Sequence, residues 1–206
     1  EAYGLTEEIV KPITNGVDPA LFEGPLLRQG IVEVSTPAEK AKGKCVTVPV
    51  PGGQFPMLYS SRPERGLEHL VRPGGIMERL LQSNPEAHLY VCAYDNKVAH
   101  MADFYAALNR RIEELPNCTN LGALTKKKLA DTMRQCVLLL YPTEFEEVSC
   151  ITAMEAMHAG LPFLSSRQAA LPETCKGSGS ILLPLKDGKA NEDAFVRELK
   201  SLMKSE

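Results

Sequence analysis

The sequence predicts an α/β fold built on a doubly wound parallel sheet, and two observations support this. After residue 55, short apolar runs alternate five times with longer amphipathic segments. Parallel neighbours need a crossover connection, for which a helix is the usual choice. The run CVLLLY at 136–141 has apolar residues on both faces of the predicted strand, as expected for a strand covered by helices on both sides of the sheet. Residues 55–206 are therefore expected to form a Rossmann-like domain.

The individual elements follow from this alternation. Apolar runs predict strands at 56–60, 87–93, 117–121, 136–141, 161–165 and 180–183. Amphipathic segments with helical spacing predict helices at 66–82, 99–113, 125–134, 149–159 and 191–204. The helix over 149–159 ends at Gly160 and Pro162, which provide a helix stop and a turn.

The first 54 residues do not follow this pattern. Residues 1–22 contain a short extended run that ends in the turn signals Asn15-Gly16 and Asp18-Pro19. Residues 23–54 carry four Pro and five Gly without a sustained period. They are predicted to form an irregular arm or insertion, to which the sequence assigns no function.

Length and charge limit the function classes. A chain of 206 residues fits one ordinary domain, or a domain with an attached arm. Its 23 Lys and Arg against 26 Asp and Glu give a net charge of -3. This charge argues against a nucleic-acid partner. The dense basic run from Lys126 to Lys128 is interpreted as the solvated start of a helix.

The cysteine pattern favours a reducing compartment. The six Cys form no C-x-x-C pair, and three of them lie inside apolar runs. This indicates buried free thiols rather than a disulfide framework or a zinc site, and a cytoplasmic location is expected. The N-terminus has no basic region followed by a hydrophobic core, and its start without Met indicates a fragment or a processed form.

Two segments with polar residues follow predicted strands directly. They are YSSRPERGLEHL at 59–70 and YPTEFEEVSCITAMEAM at 141–157. Ligands of doubly wound sheets bind beyond the carboxyl ends of the strands, so both segments should lie on one rim. A helix that begins near Ser149 would direct its first N–H groups at that rim, and a helix N-terminus attracts phosphate.

Two glutamates flank this helix start. Glu147 precedes it and Glu155 follows it, so a rise of about 1.5 Å per residue separates the carboxylates by about 10 Å. An anion bound at the N–H groups would lie between two acids that can accept hydrogen bonds from neutral hydroxyls. A molecule with hydroxyls on both sides of a diphosphate is a nucleotide sugar. Arg65 supplies positive charge in a planar form that suits phosphate oxygens.

Glu155 also has a structural interpretation. It lies in an otherwise apolar helix, and ionised side chains are almost never fully buried without a partner. A nearby Lys or Arg would satisfy that requirement without any ligand. Cys150 is disfavoured as a nucleophile, because no His follows at a recognisable spacing.

These residues resemble a known family. The Glu-x7-Glu pattern at 147 and 155, continued by Ala156-Met157 and by AGLP at 159–162, is similar to the donor-binding signature of retaining GT-B glycosyltransferases of group 1. The resemblance extends over 13–22, 62–70 and 117–136. It implies that residues 55–206 are the Rossmann-like, C-terminal half of a GT-B fold and that residues 1–22 are an interdomain linker.

The resemblance also implies roles for single residues. Glu147 would be the catalytic residue that binds hydroxyls of the donor sugar, Glu155 would bind the ribose hydroxyls, and Arg65 the diphosphate. Backbone groups would complete the substrate-binding site at Gly66, Val148, Ser149, Cys150 and Ile151. No metal or other cofactor is expected, since a helix dipole and basic side chains can stabilise a leaving diphosphate.

Two positions depart from the family pattern. Val148-Ser149-Cys150 stands where many members have Gly-Phe-Gly, so close backbone approach to the sugar is not expected from sequence alone. Ser60 stands where an Arg is common, with Arg62 nearby as a substitute. These departures bear on the identity of the donor rather than on the fold.

The sequence thus predicts the donor-binding domain of a retaining glycosyltransferase that moves a sugar from a nucleoside diphosphate sugar to an unidentified acceptor. The partners implied are the donor and a missing N-terminal acceptor domain, without which this chain is expected to be inactive. Peripheral association with a membrane, through the acceptor, is left open. The alternatives are a nucleotide-sugar epimerase of the same architecture and a non-catalytic nucleotide-sugar-binding or assembly domain. A dehydrogenase is disfavoured, because no G-x-G-x-x-G follows a predicted strand.

Overall fold

The computed structural model describes residues 16–22, 24, 31–34, 46–49, 54–93 and 99–204, with 31–34 and 46–49 described by their backbone alone. The strands are β1 (Ile31–Val34), β2 (Val46–Pro49), β3 (Phe55–Ser60), β4 (Ala87–Cys92), β5 (Cys118–Asn120), β6 (Leu138–Tyr141), β7 (Phe163–Ser166) and β8 (Ile181–Leu183). The α-helices are α1 (Leu67–Val71), α2 (Ile76–Leu81), α3 (Ala102–Glu114), α4 (Lys126–Gln135), α5 (Ile151–His158), α6 (Leu171–Thr174) and α7 (Glu192–Leu202). Short 3-10 helices cover Pro19–Leu21, Pro63–Arg65 and Ala99–Met101.

Strands β3 to β8 form one parallel sheet in the order β5-β4-β3-β6-β7-β8. In its register, Leu58 of β3 lies opposite Tyr90 of β4 and Leu139 of β6. Along the chain, β4 and β5 are added on one side of β3, and β6, β7 and β8 are then added on its other side. The point where the direction reverses lies between β3 and β6, where folds of this kind bind ligands. The prediction of a doubly wound Rossmann-like sheet is confirmed.

The central strands are buried on both faces. All four residues of β6 are buried, as are the last five of β3. Since successive side chains of a strand point to opposite faces, both sides of the sheet must be covered. The aromatic rings of Tyr59, Tyr141 and Phe163 follow one another across the strands, with centroids 6.1 and 6.2 Å apart.

The helices differ from the prediction in three places. The helix expected over 66–82 is divided into α1 and α2, because Pro73 and the glycines after it interrupt the helix, with Gly74 at a φ of 69°. The helix expected over 149–159 begins at Ile151, since Cys150 is still extended at φ -79° and ψ 95°. The short helix α6 was not predicted.

Residues 23–54 contain regular structure that the sequence analysis missed. Strands β1 and β2 pair antiparallel, with Ile31 opposite Pro49 and Val34 opposite Val46. Both runs are rich in β-branched residues, which favour strands, but four residues are too few to reveal a period. The prediction of an irregular arm is therefore corrected at these two strands.

The described end of the predicted linker packs onto the domain. Asp18 caps the first 3-10 helix by accepting a hydrogen bond from the Ala20 N–H at 3.1 Å. Phe22 is only 1% exposed and belongs to the hydrophobic core. Its carbonyl accepts a hydrogen bond from Arg134 Nη1 at 3.5 Å. Residues 1–15 of the predicted linker lie outside the described residues.

The five cysteines within the described residues are free thiols, and four of them are buried. This agrees with the prediction of buried free thiols at those positions. Burial raises the pKa of both Cys118 and Cys150 to about 12, so Cys150 is protonated at neutral pH and a poor nucleophile. Within the same described ranges, none of the helices combines the length and the apolar character needed to cross a bilayer.

Candidate functional site

A cavity of about 590 Å³ lies beyond the carboxyl ends of β3 and β6. Three segments that follow strands contribute to its walls. They are the loop after β3, the segment after β5 with Ala123, Leu124 and Lys126, and residues 145–152 after β6, joined by Glu155 of α5. The topological switch point therefore holds a cleft large enough for a small-molecule ligand.

The structure brings the predicted site residues together, with one exception. The cavity is lined by Arg65, Glu147, Val148, Ser149, Cys150, Ile151 and Glu155. The exception is Gly66, which does not line the cavity. Its φ is 112°, and a Cβ atom added there would lie 1.9 Å from the carbonyl oxygen of Pro142. Gly66 is thus the point where the backbones of two site loops meet, and only Gly fits there.

Glu147 is held by two side chains. Its Oε1 accepts hydrogen bonds from Arg65 Nη1 at 3.0 Å and from the Tyr141 hydroxyl at 2.6 Å. The Arg65 guanidinium also stacks over the Phe145 ring, 3.9 Å from its centroid, in a cation–π contact. The Ala170 N–H donates to the Glu147 carbonyl at 3.0 Å. Both the main chain and the carboxylate of Glu147 are therefore fixed before any ligand binds.

Glu155 forms an ion pair with Lys126 of α4. The Glu155 side chain is 3% exposed and the Lys126 side chain 60% exposed, and both line the cavity. The structural interpretation of Glu155, an acid paired with a lysine, is thus realised in the cavity wall itself.

Lys126 is the functional candidate that sequence reasoning missed. The run from Lys126 to Lys128 was interpreted as a solvated helix start, and Lys126 is indeed the first residue of α4 with an exposed side chain. The prediction did not foresee that Lys126 also pairs with Glu155. A signal was available, because α4 is the helix that follows β5, and the segment after each parallel strand opens on the same rim.

Helix α5 begins in the cavity wall. Ile151 and Thr152 of its first turn line the cavity. The Thr152 hydroxyl donates to the Ser60 carbonyl at 2.9 Å, which fixes the helix start against the end of β3. Cys150 occupies the N-cap position, and a thiol is only a weak hydrogen-bonding group. The helix N-terminus thus offers partial positive charge to the cavity.

Arg62 does not substitute for the arginine that Ser60 replaces. It does not line the cavity, and its Nε pairs with Glu64 Oε1 at 3.1 Å. Ser60 and Ser61 line the cavity in its place. Among the described residues of the cavity wall, the cationic side chains are Arg65 and Lys126.

Metal ligands are not clustered in the described part of the chain. No group of three or more His, Cys, Asp or Glu side chains there is placed to hold a metal ion. Along the described cavity wall, the charged groups are thus three carboxylates (Glu146, Glu147 and Glu155), two cationic side chains and a helix N-terminus.

The family model described as "Glycosyl transferases group 1" matches residues 59–205. This range is more than half of the chain and includes every residue of the cavity wall named above. The chain belongs to the glycosyl transferases group 1 family. No curated protein sequence matches the chain.

Solved structures of glycosyltransferases share its fold. HepE of Anabaena, in complex with UDP and glucose, aligns with a TM-score of 0.64 and 18% identity over 98% of this chain and 49% of HepE. The C-terminal domain of LpcC, a glycosyl transferase group 1 family protein from Francisella tularensis, aligns with a TM-score of 0.65 and 15% identity over 92% of this chain and 89% of that domain. Sucrose-phosphate synthase from Thermosynechococcus elongatus aligns with a TM-score of 0.55 and 20% identity over 90% of this chain and 42% of the synthase.

These alignments identify the fold as the C-terminal half of a GT-B glycosyltransferase. The chain spans about half the length of HepE and most of the isolated LpcC domain. The fold class predicted from the sequence is confirmed, together with the membership in group 1.

Proposed function

We propose that this chain is the donor-binding domain of a retaining glycosyltransferase that transfers a sugar from a nucleoside diphosphate sugar to an acceptor. The observation that carries the proposal is the presence of Glu147, Glu155 and Arg65 in one cavity wall, around the N-terminus of α5. Membership in group 1 supports the reaction class. The complex of HepE with UDP and glucose supports a donor of this kind.

The diphosphate would bind at the start of α5. Its oxygens would accept hydrogen bonds from the N–H groups of the first turn, as anions do at helix N-termini. Arg65 would approach from the other loop, and a guanidinium carries enough N–H donors to hold Glu147 and a phosphate oxygen together. Both groups would stabilise the negative charge that develops on the leaving diphosphate.

The two acids would bind the neutral ends of the donor. Glu147 would accept hydrogen bonds from hydroxyls of the transferred sugar, and Glu155 from the ribose hydroxyls. The assignment of Glu147 as catalytic residue and the retaining stereochemistry rest on the Glu-x7-Glu pattern at 147 and 155. In this proposal no metal takes part, because the helix dipole and Arg65 supply the positive charge.

Transfer is proposed for the protein with an acceptor-binding domain. HepE is about twice as long as the part that this chain matches. An N-terminal domain would form the opposite wall of the cleft, and this chain alone would bind the donor without transferring it. The buried free thiols support a cytoplasmic location as part of the same proposal.

Isothermal titration calorimetry with UDP-glucose, GDP-mannose and ADP-glucose tests the proposal. We expect one of the three to bind and Glu155→Ala to weaken it at least about tenfold, the effect of losing about 1.4 kcal/mol. The matched control is Glu113→Ala, since Glu113 is exposed on α3. If the wild-type chain binds none of the three, or if Glu155→Ala binds like the control, the proposal is wrong.

Product analysis of the protein with its acceptor domain separates the alternatives. A glycosyltransferase consumes donor only as acceptor is modified. Conversion of the donor alone into an isomeric nucleotide sugar would indicate an epimerase. Binding without any turnover would indicate a non-catalytic domain.

A further inference from the structure

The two cavity acids share an arrangement of their carboxylate oxygens. Oε1 of Glu147 accepts both of its hydrogen bonds, from Arg65 and Tyr141. Oε1 of Glu155 accepts the one from Lys126. Within the described residues, no side chain or main-chain group donates a hydrogen bond to Oε2 of either acid. Each acid is therefore held by one oxygen and keeps the other for a further partner.

Tyr141 is suited to hold Glu147. It is the last residue of β6 and is 1% exposed, so the sheet fixes its position. Burial, and then the hydrogen bond to Glu147, raise the pKa of Tyr141 well above its ordinary value. The hydroxyl therefore keeps its proton and donates a hydrogen bond to the carboxylate, at 2.6 Å.

Lys126 is suited to hold Glu155 for a different reason. It is the first residue of α4, directly after the N-cap residue Thr125, whose hydroxyl accepts a hydrogen bond from the Lys128 N–H at 3.4 Å. Its side chain is 60% exposed. An ion pair with one exposed member contributes little to stability, but it supplies the partner that the buried carboxylate of Glu155 requires. The lysine therefore holds Glu155 from the cavity wall.

We propose that Tyr141 and Lys126 are positioning residues, each of which holds one cavity acid by Oε1 and leaves Oε2 for a hydroxyl of the donor. Tyr141 serves the sugar end and Lys126 the nucleoside end. The inference rests on the proposed function, because the hydroxyls are those of the donor sugar and the ribose. An acid that is held before the ligand arrives has less conformational freedom to lose on binding.

Titrations with the nucleotide sugar that binds in calorimetry and with its nucleoside diphosphate, for example UDP-glucose and UDP, separate the two ends of the site. Lys126→Met should weaken both ligands alike, by about tenfold, the usual effect of losing one charge-assisted hydrogen bond. Tyr141→Phe should leave UDP affinity unchanged and remove the additional affinity of UDP-glucose over UDP. Lys126→Arg should restore most of the affinity, since it keeps the charge near Glu155.

Two matched controls accompany these variants. Lys127→Met removes the neighbouring lysine, which is exposed and does not line the cavity. Tyr90→Phe removes the hydroxyl of a tyrosine that is buried in β4, which β3 separates from β6. Neither control should change the affinity for UDP or UDP-glucose. Thermal melts of all variants show whether a loss of affinity follows a loss of stability.

The outcomes are distinct. Equal weakening of UDP and UDP-glucose by Tyr141→Phe, or losses that follow melting temperature in variants and controls alike, would overturn this inference and leave the proposed function intact. A wild-type chain that binds no nucleotide sugar would overturn both. Crystal structures of Lys126→Met and Tyr141→Phe give a readout without ligand: we expect a rotated carboxylate in each, and an unmoved carboxylate contradicts the inference.

Discussion

Two groups of acids in this domain differ in how their oxygens are used. In the charged cleft between α1 and α7, both oxygens of Glu192 are occupied. Arg72 donates to Oε1 and Oε2 at 2.8 Å each, and His69 Nδ1 lies 2.8 Å from Oε1. In the cavity beyond β3 and β6, Glu147 and Glu155 use Oε1 alone within the described residues. The Glu192 side chain is 10% exposed, and those of Glu147 and Glu155 are 8% and 3% exposed. Burial therefore does not distinguish Glu192 from the two cavity acids, whereas the use of the second carboxylate oxygen does.

The charged cleft is a structural junction. His69 Nε2 lies 2.9 Å from Glu144 Oε2, and Arg79 Nη2 pairs with Asp193 Oδ1 at 2.7 Å. The contacts thereby connect α1, α2, α7 and the loop after β6. Charges that satisfy one another in this way hold elements together and leave little capacity for a ligand.

The largest expected effect concerns the meeting of the two site loops. Gly66→Ala should lower the free energy of unfolding by more than about 3 kcal/mol, because the new Cβ meets a main-chain oxygen and φ is positive. Gly177→Ala is the control, with a φ of 76° and open space around it. It should lose only about 1 kcal/mol from backbone strain. Urea denaturation measures both, and equal losses would contradict the close approach.

The next largest effect is expected for a variant that disrupts the charged cleft between α1 and α7. Glu192→Ala should lower the free energy of unfolding by about 2 kcal/mol, because it removes hydrogen bonds to charged partners. Nucleotide affinity should not change. Urea denaturation and calorimetry of one preparation measure the two quantities, with Glu113→Ala as the exposed control. A loss of nucleotide affinity without a loss of stability would reverse the assignment of this acid.

Glu155→Gln should give the opposite result. Its stability should change by less than about 1 kcal/mol, since Lys126 is mostly exposed and returns to water. Its affinity for the nucleotide should fall about tenfold. Urea denaturation and calorimetry measure the two quantities. A variant that loses stability as Glu192→Ala does, yet binds normally, would place Glu155 with the structural acids.

The smallest expected effect is that of a chelator. EDTA should leave nucleotide-sugar affinity unchanged, because Arg65, Lys126 and the start of α5 provide the positive charge of the cavity. The check is calorimetry with EDTA and then with added Mg²⁺. Binding that disappears with EDTA and returns with Mg²⁺ would show that a metal ion belongs to the site.

The sheet was predictable, because strands such as β3, β4 and β6 are short apolar runs separated by crossovers. Only the alternation with helices indicated β5, which carries Thr119 and Asn120. The division into α1 and α2 was not predicted, although Pro73 and Gly74 mark it, because the apolar period continues across them. Strands β1 and β2 were missed since four residues show no clear period. These errors concern elements whose pattern is short or continues across a break.

The cavity wall was predictable from the two polar segments that follow strands, since Arg65, Glu147 and Glu155 line the cavity. Tyr141 and Lys126 were not among the predicted site residues, because sequence spacing does not reveal their contacts with the two acids. Tyr141 completes an apolar run and resembles a core residue, and Lys126 is 29 positions from the acid it contacts. Gly66 was correctly placed in a sharp turn, but its neighbour is Pro142 rather than the cavity.

The contact between Gly66 and Pro142 has a consequence for how such a domain can diversify. Main-chain atoms, and not side chains, set the spacing of the two loops at this point. A wall residue such as Val148, which is 89% exposed, can therefore be exchanged during evolution while the loops keep their separation. The lining of the cavity can change at such a position without rebuilding the scaffold that presents it.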